Sequence, residues 1–356
     1  MAPTDLTRSG PGAGPGGVPA AIGLTPILSA RYATSELARI REAAPGSRLV
    51  AISLEGLADG PLDDVEVILR GPLPAGVFDR LLARCPRLRW VHSATAGVER
   101  VLTPSALARG LLITNARGVF SRPIAEYVML MVLAVSRRLP QLLELQRERT
   151  WQPLPGVELR DVTIGIVGLG SIGQAVASLA TAFGCRVIAT RRSAAGAATG
   201  ASTGDDDGDR SLPPPHIDLV LPPDGLPQLL AESDFVVLAL PLTADTADLL
   251  DAQALARVKP GAWIINVARG GLIDERALVR ALREGPLGGA VLDAFRDEPL
   301  PPDSPLYGLP NCIVTPHTSW SSGRVLTRSV ELFCDNLRRY RTGEPLRNVV
   351  DPAVGY

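Results

Sequence analysis

Short apolar runs alternate with helical patterns along most of the chain, and this alternation predicts parallel α/β sheets. Between about residues 23 and 118, the apolar spacing of amphipathic helices occurs at 35–43 and 76–85. The runs typical of strands in this part lie at residues 48–54, 65–69, 88–94 and 111–115. One long helix is then predicted over about 123–148, and the sequence WQPLPG (151–156) ends it.

A second series of apolar runs follows, each bounded by Gly, Pro or charged residues. These runs lie at residues 162–170, 185–190, 234–241, 262–268, 288–295 and 312–317. About six parallel strands make a complete doubly wound sheet. Segment 193–215 interrupts the series with small, polar and acidic residues, and we expect a flexible surface insert because this composition cannot form a core.

Length and composition narrow the class of protein. The 356 residues are too many for one ordinary core and suit two domains of roughly 100–200 residues each. Residues 1–22 are rich in Pro and Gly and lack the apolar core of a signal peptide, so they are predicted to form a disordered tail. The most apolar helical run, 124–135, is far shorter than the roughly 20 residues of a membrane span.

Charge and cysteine usage add further expectations about partners and location. A net charge of −1 gives no support to a nucleic-acid partner. The four cysteines are scattered without CxxC spacing. Reduced thiols in a cytoplasmic protein fit this pattern, and no metal site is expected.

The sequence IVGLGSIGQAVA carries a G-x-G-x-x-G pattern directly after a predicted strand and at the start of a helix. Gly168 permits the tight turn, Gly170 allows the backbone to approach a pyrophosphate, and Gly173 allows close packing of helix on strand. The helix N-terminus offers N–H groups to phosphate. The pattern therefore predicts a dinucleotide site, which would also include the intervening residues Leu169, Ser171 and Ile172.

The end of the next strand indicates which dinucleotide is bound. NAD enzymes usually place an acidic residue there, about 20 residues after the glycines, to bind the ribose hydroxyls. This chain has no Asp or Glu between Gly173 and Asp205, and the expected position is occupied by Thr190, Arg191, Arg192 and Ser193. Arginine pairs with a 2′-phosphate, so NADP is predicted in preference to NAD. Alternatively, the arginines only flank the adenine or lie in solvent.

Three further stretches supply candidate catalytic side chains. INVARGGLIDERAL (265–278) contains Arg269, LDAFRDEPLPPDSPLYGLPN (292–311) contains Glu298, and VTPHTSW (314–320) contains His317. Each follows a predicted strand, so all three would gather at the carboxyl edge of a parallel sheet. Taken singly, each residue has an ordinary structural explanation as a loop charge, a turn or a packed histidine.

With these motifs together, the chain resembles the D-isomer-specific 2-hydroxyacid dehydrogenase family, which includes glyoxylate/hydroxypyruvate reductases and phosphoglycerate dehydrogenases. The resemblance covers nearly all of residues 45–350 and includes ATAGVERV (94–101). It implies two doubly wound parallel-sheet domains of the α/β class. A Rossmann dinucleotide domain (119–317) would be inserted into a flavodoxin-like substrate domain (23–118 and 318–356). It also implies a cleft that closes over substrate, and a homodimer built through the cofactor domain.

The resemblance also implies a role for each catalytic residue. Arg269 would bind the substrate carboxylate and α-carbonyl oxygen, since a planar guanidinium meets a carboxylate with two bonds. His317 would be the general acid–base that exchanges a proton with the carbonyl oxygen. Glu298 would hydrogen-bond the other ring nitrogen and favour the imidazolium.

Contacts with cofactor and substrate are implied in the same way. Asp293 and the backbone of Val267 and Ala268 would lie at the nicotinamide end. Leu240, Pro241 and Thr246 would flank the cofactor. The backbone of Ala96 and Gly97 would meet the substrate carboxylate.

Two residues near the expected substrate loops have open alternatives. Arg70 is predicted at a strand end, where it would bind a second anionic group of the substrate or be a solvated loop arginine. Trp320 would form a wall of the substrate pocket or pack in a core or interface.

The expected function is an NAD(P)-dependent oxidoreductase that transfers hydride between the cofactor and a small 2-ketoacid or D-2-hydroxyacid, such as glyoxylate or hydroxypyruvate, with NADPH preferred. One alternative is a dinucleotide-sensing, corepressor-like binding protein. Another is a phosphoglycerate dehydrogenase without its regulatory domain.

Overall fold

A computed structural model of the protein describes residues 16–27, 32–192 and 215–352. The strands are β1 Ala21–Leu24, β2 Arg48–Ala51, β3 Val65–Arg70, β4 Trp90–Ser93, β5 Leu112–Thr114, β6 Thr163–Val167, β7 Arg186–Thr190, β8 Leu219–Leu221, β9 Phe235–Leu238, β10 Trp263–Asn266, β11 Gly289–Leu292 and β12 Cys312–Val314. The α-helices are α1 Thr34–Ala43, α2 Ala75–Arg84, α3 Pro104–Ala108, α4 Ser121–Ser136, α5 Leu139–Arg147, α6 Ser171–Ala182, α7 Leu226–Glu232, α8 Ala252–Leu255, α9 Glu275–Glu284 and α10 Val325–Thr342.

The chain divides into two compact units, one formed by residues up to 119 and from 322 onward, the other by residues 120–321. The second boundary therefore falls after Ser321, whereas the sequence had placed it after His317. Residues that follow His317 stay with the second unit because the backbone N–H groups of Thr318 and Ser319 both donate to the Asp293 carboxylate. Residues 193–214 of the expected insert lie outside the described residues.

The first unit contains a five-stranded parallel sheet of order β2-β1-β3-β4-β5, the flavodoxin-like order. Strand β1 corrects the predicted tail: Ala21 and Ile22 are fully buried in the sheet, so only residues before 16 lie outside the described structure at this end. The strand was missed because AIGL is a four-residue run that directly follows a Pro- and Gly-rich stretch. Helices α1 and α10 pack together in this unit.

The second unit contains a seven-stranded parallel sheet of order β12-β11-β10-β9-β6-β7-β8. Read from β8, this is the Rossmann order, extended by β12 as an additional strand. Strand β8 was not predicted, because its three residues follow the low-complexity insert. Both sheets are parallel and doubly wound, which confirms the predicted fold class.

The predicted long helix is wrong at one point, where it divides into α4 and α5. Arg138 between them has a left-handed backbone, with φ 53°. Pro140 has no N–H to donate to the carbonyl of Ser136, and that carbonyl accepts from the backbone N–H of Val157 instead, at 2.9 Å. The apolar spacing continues through the break, so periodicity alone did not reveal it.

Helix α4 packs against α6, the helix that follows the glycine loop. Its buried residues include Ala125, Val128 and Val132. None of the helices in the described part of the chain has both the length and the apolarity to cross a membrane.

Candidate active site

The predicted site residues of the second unit follow the carboxyl ends of its strands. Strands β6, β7, β9, β10, β11 and β12 run parallel, so the loops after them lie along one edge of the sheet. The strand order reverses between β6 and β9, and ligands of doubly wound sheets bind at this kind of switch point.

The glycine loop connects β6 to α6, and two of its glycines have no room for a side chain. Gly168 has φ +99°, and an added Cβ would lie 2.8 Å from both the carbonyl oxygen of Ala239 and the Cβ of Leu240. A Cβ on Gly173 would lie 2.2 Å from the carbonyl oxygen of Gly168. A Cβ on Gly170 would meet no atom within 4 Å, so the loop is open to a ligand at this residue. This arrangement fits a pyrophosphate at the start of α6.

The remaining residues of the loop support the same geometry. Leu169 is buried, whereas Ser171 and Ile172 in the first turn of α6 are partly exposed. Helix α6 has no side-chain cap at its N-terminus, because the N-cap residue is Gly170. The N–H groups of the first turn of a helix have no partner within the helix, so this end suits an anion.

The residues after β7 divide into a buried threonine and two accessible arginines. Thr190 is buried, and its hydroxyl accepts from the backbone N–H of Gly168 at 3.3 Å, which ties β7 to the glycine turn. Arg191 is partly exposed and Arg192 is exposed. Ser193 lies outside the described residues. Arginines, and no carboxylate, therefore stand at the strand end expected near the ribose.

The loop after β9 is held by its own hydroxyl groups. The hydroxyl of Thr246 accepts from the backbone N–H of Thr243 and donates to the carbonyl of Pro241, each at 2.8 Å. Leu240 lies against Gly168, so this loop borders the glycine turn.

The loop after β10 presents Arg269 and depends on a residue that sequence reasoning missed. Asn266 is buried, its amide donates to the carbonyl of Arg269 at 2.9 Å, and its oxygen accepts from the N–H of Ala268 at 3.0 Å. The Arg269 guanidinium donates to the carbonyl of Ala268 at 2.8 Å. Val267 and Ala268 are buried. The side chain of Asn266 thus fixes the backbone of Ala268 and Arg269.

Gly270 joins the Arg269 loop to the loop that carries Glu298. A Cβ on Gly270 would lie 1.9 Å from the carbonyl carbon of Phe295 and 2.2 Å from the nitrogen of Arg296. The N–H of Phe295 in turn donates to Oε1 of Glu298 at 3.0 Å. Only glycine allows this close approach of the two loops.

His317 and Glu298 form the pair that the motifs predicted. Nδ1 of His317 lies 2.9 Å from both carboxylate oxygens of Glu298, and a carboxylate only accepts, so Nδ1 carries a proton. Nε2 is then the ring nitrogen that remains available to a ligand. The two side chains are 36% and 38% exposed, which leaves the ring accessible. His317 has φ 49°, a left-handed conformation that is uncommon for a residue other than glycine.

Asp293 is almost fully buried beneath the His317 loop. Its Oδ1 accepts from the hydroxyl of Thr315 at 2.7 Å and from the N–H of Thr318 at 2.8 Å, and its Oδ2 accepts from the N–H of Ser319 at 2.8 Å. The carboxylate therefore holds residues on both sides of His317. Its expected contact with nicotinamide stays a prediction.

Trp320 follows this anchored segment. Its ring lies edge-on to Phe120, with centroids 6.4 Å apart and an interplanar angle of 84°. The indole is partly exposed, so it packs in the second unit while keeping an accessible face.

The structure corrects the expectation for Arg70 in the first unit. Arg70 is 1% exposed, its guanidinium donates to the carbonyls of Gly71, Leu73 and Arg100, and it lies 4.8 Å from the centre of the Phe78 ring. Burial lowers its pKa to about 10. A guanidinium enclosed in this way braces the loop after β3, and it is neither a solvated arginine nor placed to bind a second anionic group.

Ala96 and Gly97 lie in the loop after β4 and are partly exposed. The carbonyl of Ala96 accepts from the Asn115 amide at 3.0 Å, and that of Gly97 accepts from the hydroxyl of Thr95 at 2.7 Å. The loop is therefore fixed within its own unit. The contact of its backbone with a substrate carboxylate stays a prediction.

Several functional neighbours had only weak signals in the sequence. Asn266 ends strand β10 and Thr315 directly follows β12, both beside the recognised motifs, and this placement is the signal that was available for them. Tyr127 contacts Thr315 from helix α4, 188 positions earlier in the chain, and nothing local marks it. In the described ranges, no three His, Cys, Asp or Glu side chains are grouped to hold a metal ion.

Comparison with known proteins agrees with this geometry. The family model of the D-isomer specific 2-hydroxyacid dehydrogenase NAD binding domain matches residues 129–319. The chain is 33% identical to a glyoxylate reductase of Korarchaeum cryptofilum over 328 residues, which cover 90% of each protein. It is 37% identical over 277 residues to a D-3-phosphoglycerate dehydrogenase of Mycobacterium bovis, and these cover 77% of this chain but only 49% of that relative.

Among solved structures, an NADPH-dependent glyoxylate/hydroxypyruvate reductase of Sinorhizobium meliloti, in complex with NADP and sulfate, matches with a TM-score of 0.77 at 28% identity. The match covers 94% of this chain and all of that one. The glycine loop, the His317–Glu298 pair and Arg269 thus occur in a chain that aligns over 90% of its length with a glyoxylate reductase, at 33% identity. The protein belongs to the D-isomer-specific 2-hydroxyacid dehydrogenase family and is an NAD(P)-dependent oxidoreductase.

Proposed function

We propose that the protein reduces small 2-ketoacids of the glyoxylate or hydroxypyruvate type to D-2-hydroxyacids, with NADPH as the preferred cofactor. The observation that carries this proposal is the His317–Glu298 pair, in which both carboxylate oxygens lie 2.9 Å from Nδ1. The pair orients Nε2 as the proton donor, and Arg269 lies on the loop after β10, at the same edge of the sheet.

Each side chain has one task in this reaction. The cofactor, when bound, supplies the hydride for the carbonyl carbon. His317 gives a proton from Nε2 to the carbonyl oxygen, and Glu298 holds the ring and stabilises its positive charge before transfer. Arg269 holds the substrate carboxylate and orients the carbonyl toward His317. The glycine loop and the start of α6 would hold the pyrophosphate, with Val267, Ala268 and Asp293 at the nicotinamide end.

The preference for NADPH is supported by the end of β7. Thr190 is turned into the fold toward Gly168, and accessible Arg191 and Arg192 follow it where an NAD enzyme has a carboxylate. A guanidinium attracts a 2′-phosphate, whereas a carboxylate repels it. The Sinorhizobium reductase, a relative of the same fold, is NADPH-dependent.

A homodimer and a cytoplasmic location complete the proposal. Helix α5 has no buried residue, and Leu139, Leu142 and Leu143 on it are exposed. Trp151, after this helix, is 100% exposed. Such a run of apolar side chains suits the matching face of a second copy. The four cysteines are free thiols, which fits a reducing compartment.

A phosphoglycerate dehydrogenase is the second candidate, favoured by the 37% identity to the mycobacterial enzyme. The buried position of Arg70 weighs against it, because that arginine is not available for a second anionic group. A dinucleotide-sensing protein would bind NADPH without substantial turnover.

Initial rates with glyoxylate, hydroxypyruvate and 3-phosphohydroxypyruvate, each with NADPH and NADH, test the proposal. We expect the highest kcat/KM with one of the first two acids and NADPH. His317→Ala should lower kcat by a factor of about 10²–10⁴ and leave the Kd of NADPH within two-fold, because it removes the proton donor. His216→Ala is the matched control, since that side chain is 74% exposed and should leave the rates unchanged.

Three results would contradict the proposal. A higher kcat/KM for 3-phosphohydroxypyruvate would favour the phosphoglycerate dehydrogenase. NADPH binding without turnover of any acid would favour the sensing protein. A preference for NADH would refute the cofactor assignment alone.

A further inference from the structure

We propose that Tyr127 and Thr315 are positioning residues for His317, acting through Asp293; this rests on the proposed function, in which His317 is the proton donor. The hydroxyl of Tyr127 lies 2.6 Å from the hydroxyl of Thr315, which lies 2.7 Å from Oδ1 of Asp293. The chain of contacts runs from helix α4 to the loop that carries His317.

The direction of each hydrogen bond follows from the chemistry of the groups. The carboxylate of Asp293 only accepts, so the single hydroxyl proton of Thr315 is donated to it. Thr315 then has no proton left for Tyr127, so the oxygen of Thr315 accepts the hydroxyl proton of Tyr127. Burial raises the pKa of Tyr127 to about 12, so its hydroxyl remains a donor throughout the neutral range. The hydrogen bonds from Tyr127 through Thr315 to Asp293 therefore have one arrangement of protons, which fixes the orientation of the Asp293 carboxylate.

That orientation matters because Asp293 holds the loop on both sides of His317. The carboxylate accepts from the Thr315 hydroxyl before the histidine and from the N–H groups of Thr318 and Ser319 after it. His317 itself has φ 49°, a conformation that costs free energy in a residue with a side chain. Bonds on either side of the strained residue keep it in this conformation, with Nδ1 directed to Glu298.

Helix α4 supplies a rigid origin for the chain of hydrogen bonds. Ala125, Val128 and Met129, which lie within two residues of Tyr127, are buried, and the helix packs on α6. The position of Tyr127 is therefore set by the same packing that places the glycine loop. This couples the proton donor and the dinucleotide loop to one helix.

Removal of single hydroxyl groups tests the proposal. Tyr127→Phe should lower kcat about five-fold, the rate equivalent of one neutral hydrogen bond. Thr315→Val should lower kcat about thirty-fold, because its hydroxyl bonds a charged group. Thr315→Ser keeps the hydroxyl and should restore kcat to within about two-fold of the natural protein. The KM of the ketoacid should stay within two-fold in all three.

The double variant separates a connected chain from two independent contacts. If Tyr127 acts through Thr315, then Tyr127→Phe has no further effect once the acceptor is gone, and the double variant should match Thr315→Val. Independent contacts would multiply to a loss of about 150-fold and would overturn the proposal. Tyr307→Phe is the control, because this tyrosine is 55% exposed and its hydroxyl makes only a 3.5 Å contact.

Hydrogen–deuterium exchange over residues 314–321 gives a readout that does not need turnover. The backbone N–H groups of Thr318 and Ser319 should exchange faster in Thr315→Val and Tyr127→Phe than in Thr315→Ser. If the natural protein reduces none of the ketoacids, the proposed function fails and exchange alone decides this inference. Unchanged exchange, or a rise in KM in place of the fall in kcat, would overturn it.

Discussion

Gly270→Ala should separate the two loops that carry Arg269 and Glu298. The added Cβ would lie 1.9 Å from the carbonyl carbon of Phe295, against an ordinary contact of 3.4 Å, so the backbones must move apart by about 1.5 Å. The neighbouring atoms belong to the main chain, and rotation of a side chain cannot relieve the clash. Overpacking of this kind costs about 1–3 kcal/mol of unfolding free energy.

The displacement also reaches the His317–Glu298 pair. Phe295 moves with the loop, and its N–H is a donor to Oε1 of Glu298. A misplacement of about 1 Å costs on the order of 10²-fold in rate, so we expect kcat/KM to fall about 100-fold.

Urea unfolding and steady-state rates on the same preparations test both parts. Gly308→Ala is the matched control, because a Cβ there meets no atom within 4 Å, and both its stability and its rates should stay close to those of the natural protein. A folded Gly270→Ala protein that keeps kcat/KM within three-fold would refute the argument that this close approach sets the active geometry. A loss of stability without a loss of rate would mean that the close approach matters for packing and not for the active geometry.

Two further predictions concern acid stability and assembly. Burial lowers the pKa of His92 to about 3, so between pH 3 and 6.5 the unfolded chain binds more protons there and stability falls as pH falls. The free energy of unfolding should fall by about 2 kcal/mol from pH 7 to pH 5 through this residue. In urea unfolding, the free energy should depend less on pH in His92→Asn than in the natural protein, whereas His216→Asn should not differ. The same pH dependence in His92→Asn and the natural protein would contradict the role of His92. For the proposed dimer, Trp151→Ser with Leu143→Ser should lower the mass measured by light scattering to that of a monomer, whereas Leu57→Ser, at a 71% exposed site, should not. A dimer that persists in the double variant would place the interface elsewhere.

The success of the sequence in predicting each strand depended on the residues that border it. Runs of four or more apolar residues with clear boundaries, such as those of β6 and β9, were recognised as strands. Strands β1 and β8 were missed because each directly follows a stretch rich in Gly, Pro or small polar residues. The break before α5 was missed because a missing N–H at Pro140 leaves the apolar spacing intact.

The residues of the candidate site also divide into those that a local motif marks and those whose surroundings depend on distant parts of the chain. Arg269, Glu298 and His317 were found because each lies in a local motif after a strand, and parallel strands bring such ends to one edge. Arg70 also follows the pattern of a strand-end arginine, but its three carbonyl acceptors come from its own loop and from Arg100. A strand-end arginine has the same local sequence whether it faces solvent or is enclosed.

The sequence by itself determined the two parallel sheets, the glycine loop and the identities of the candidate catalytic side chains. These depend on residue type and on spacing along a few dozen residues, which are properties of the chain alone. The tertiary structure decided the burial of Arg70, the approach of Gly270 to Phe295 and the hydrogen bonds from Tyr127 through Thr315 to Asp293. The last of these joins residues 188 positions apart, and only the packing of α4 in the folded unit brings their hydroxyl groups within 2.6 Å.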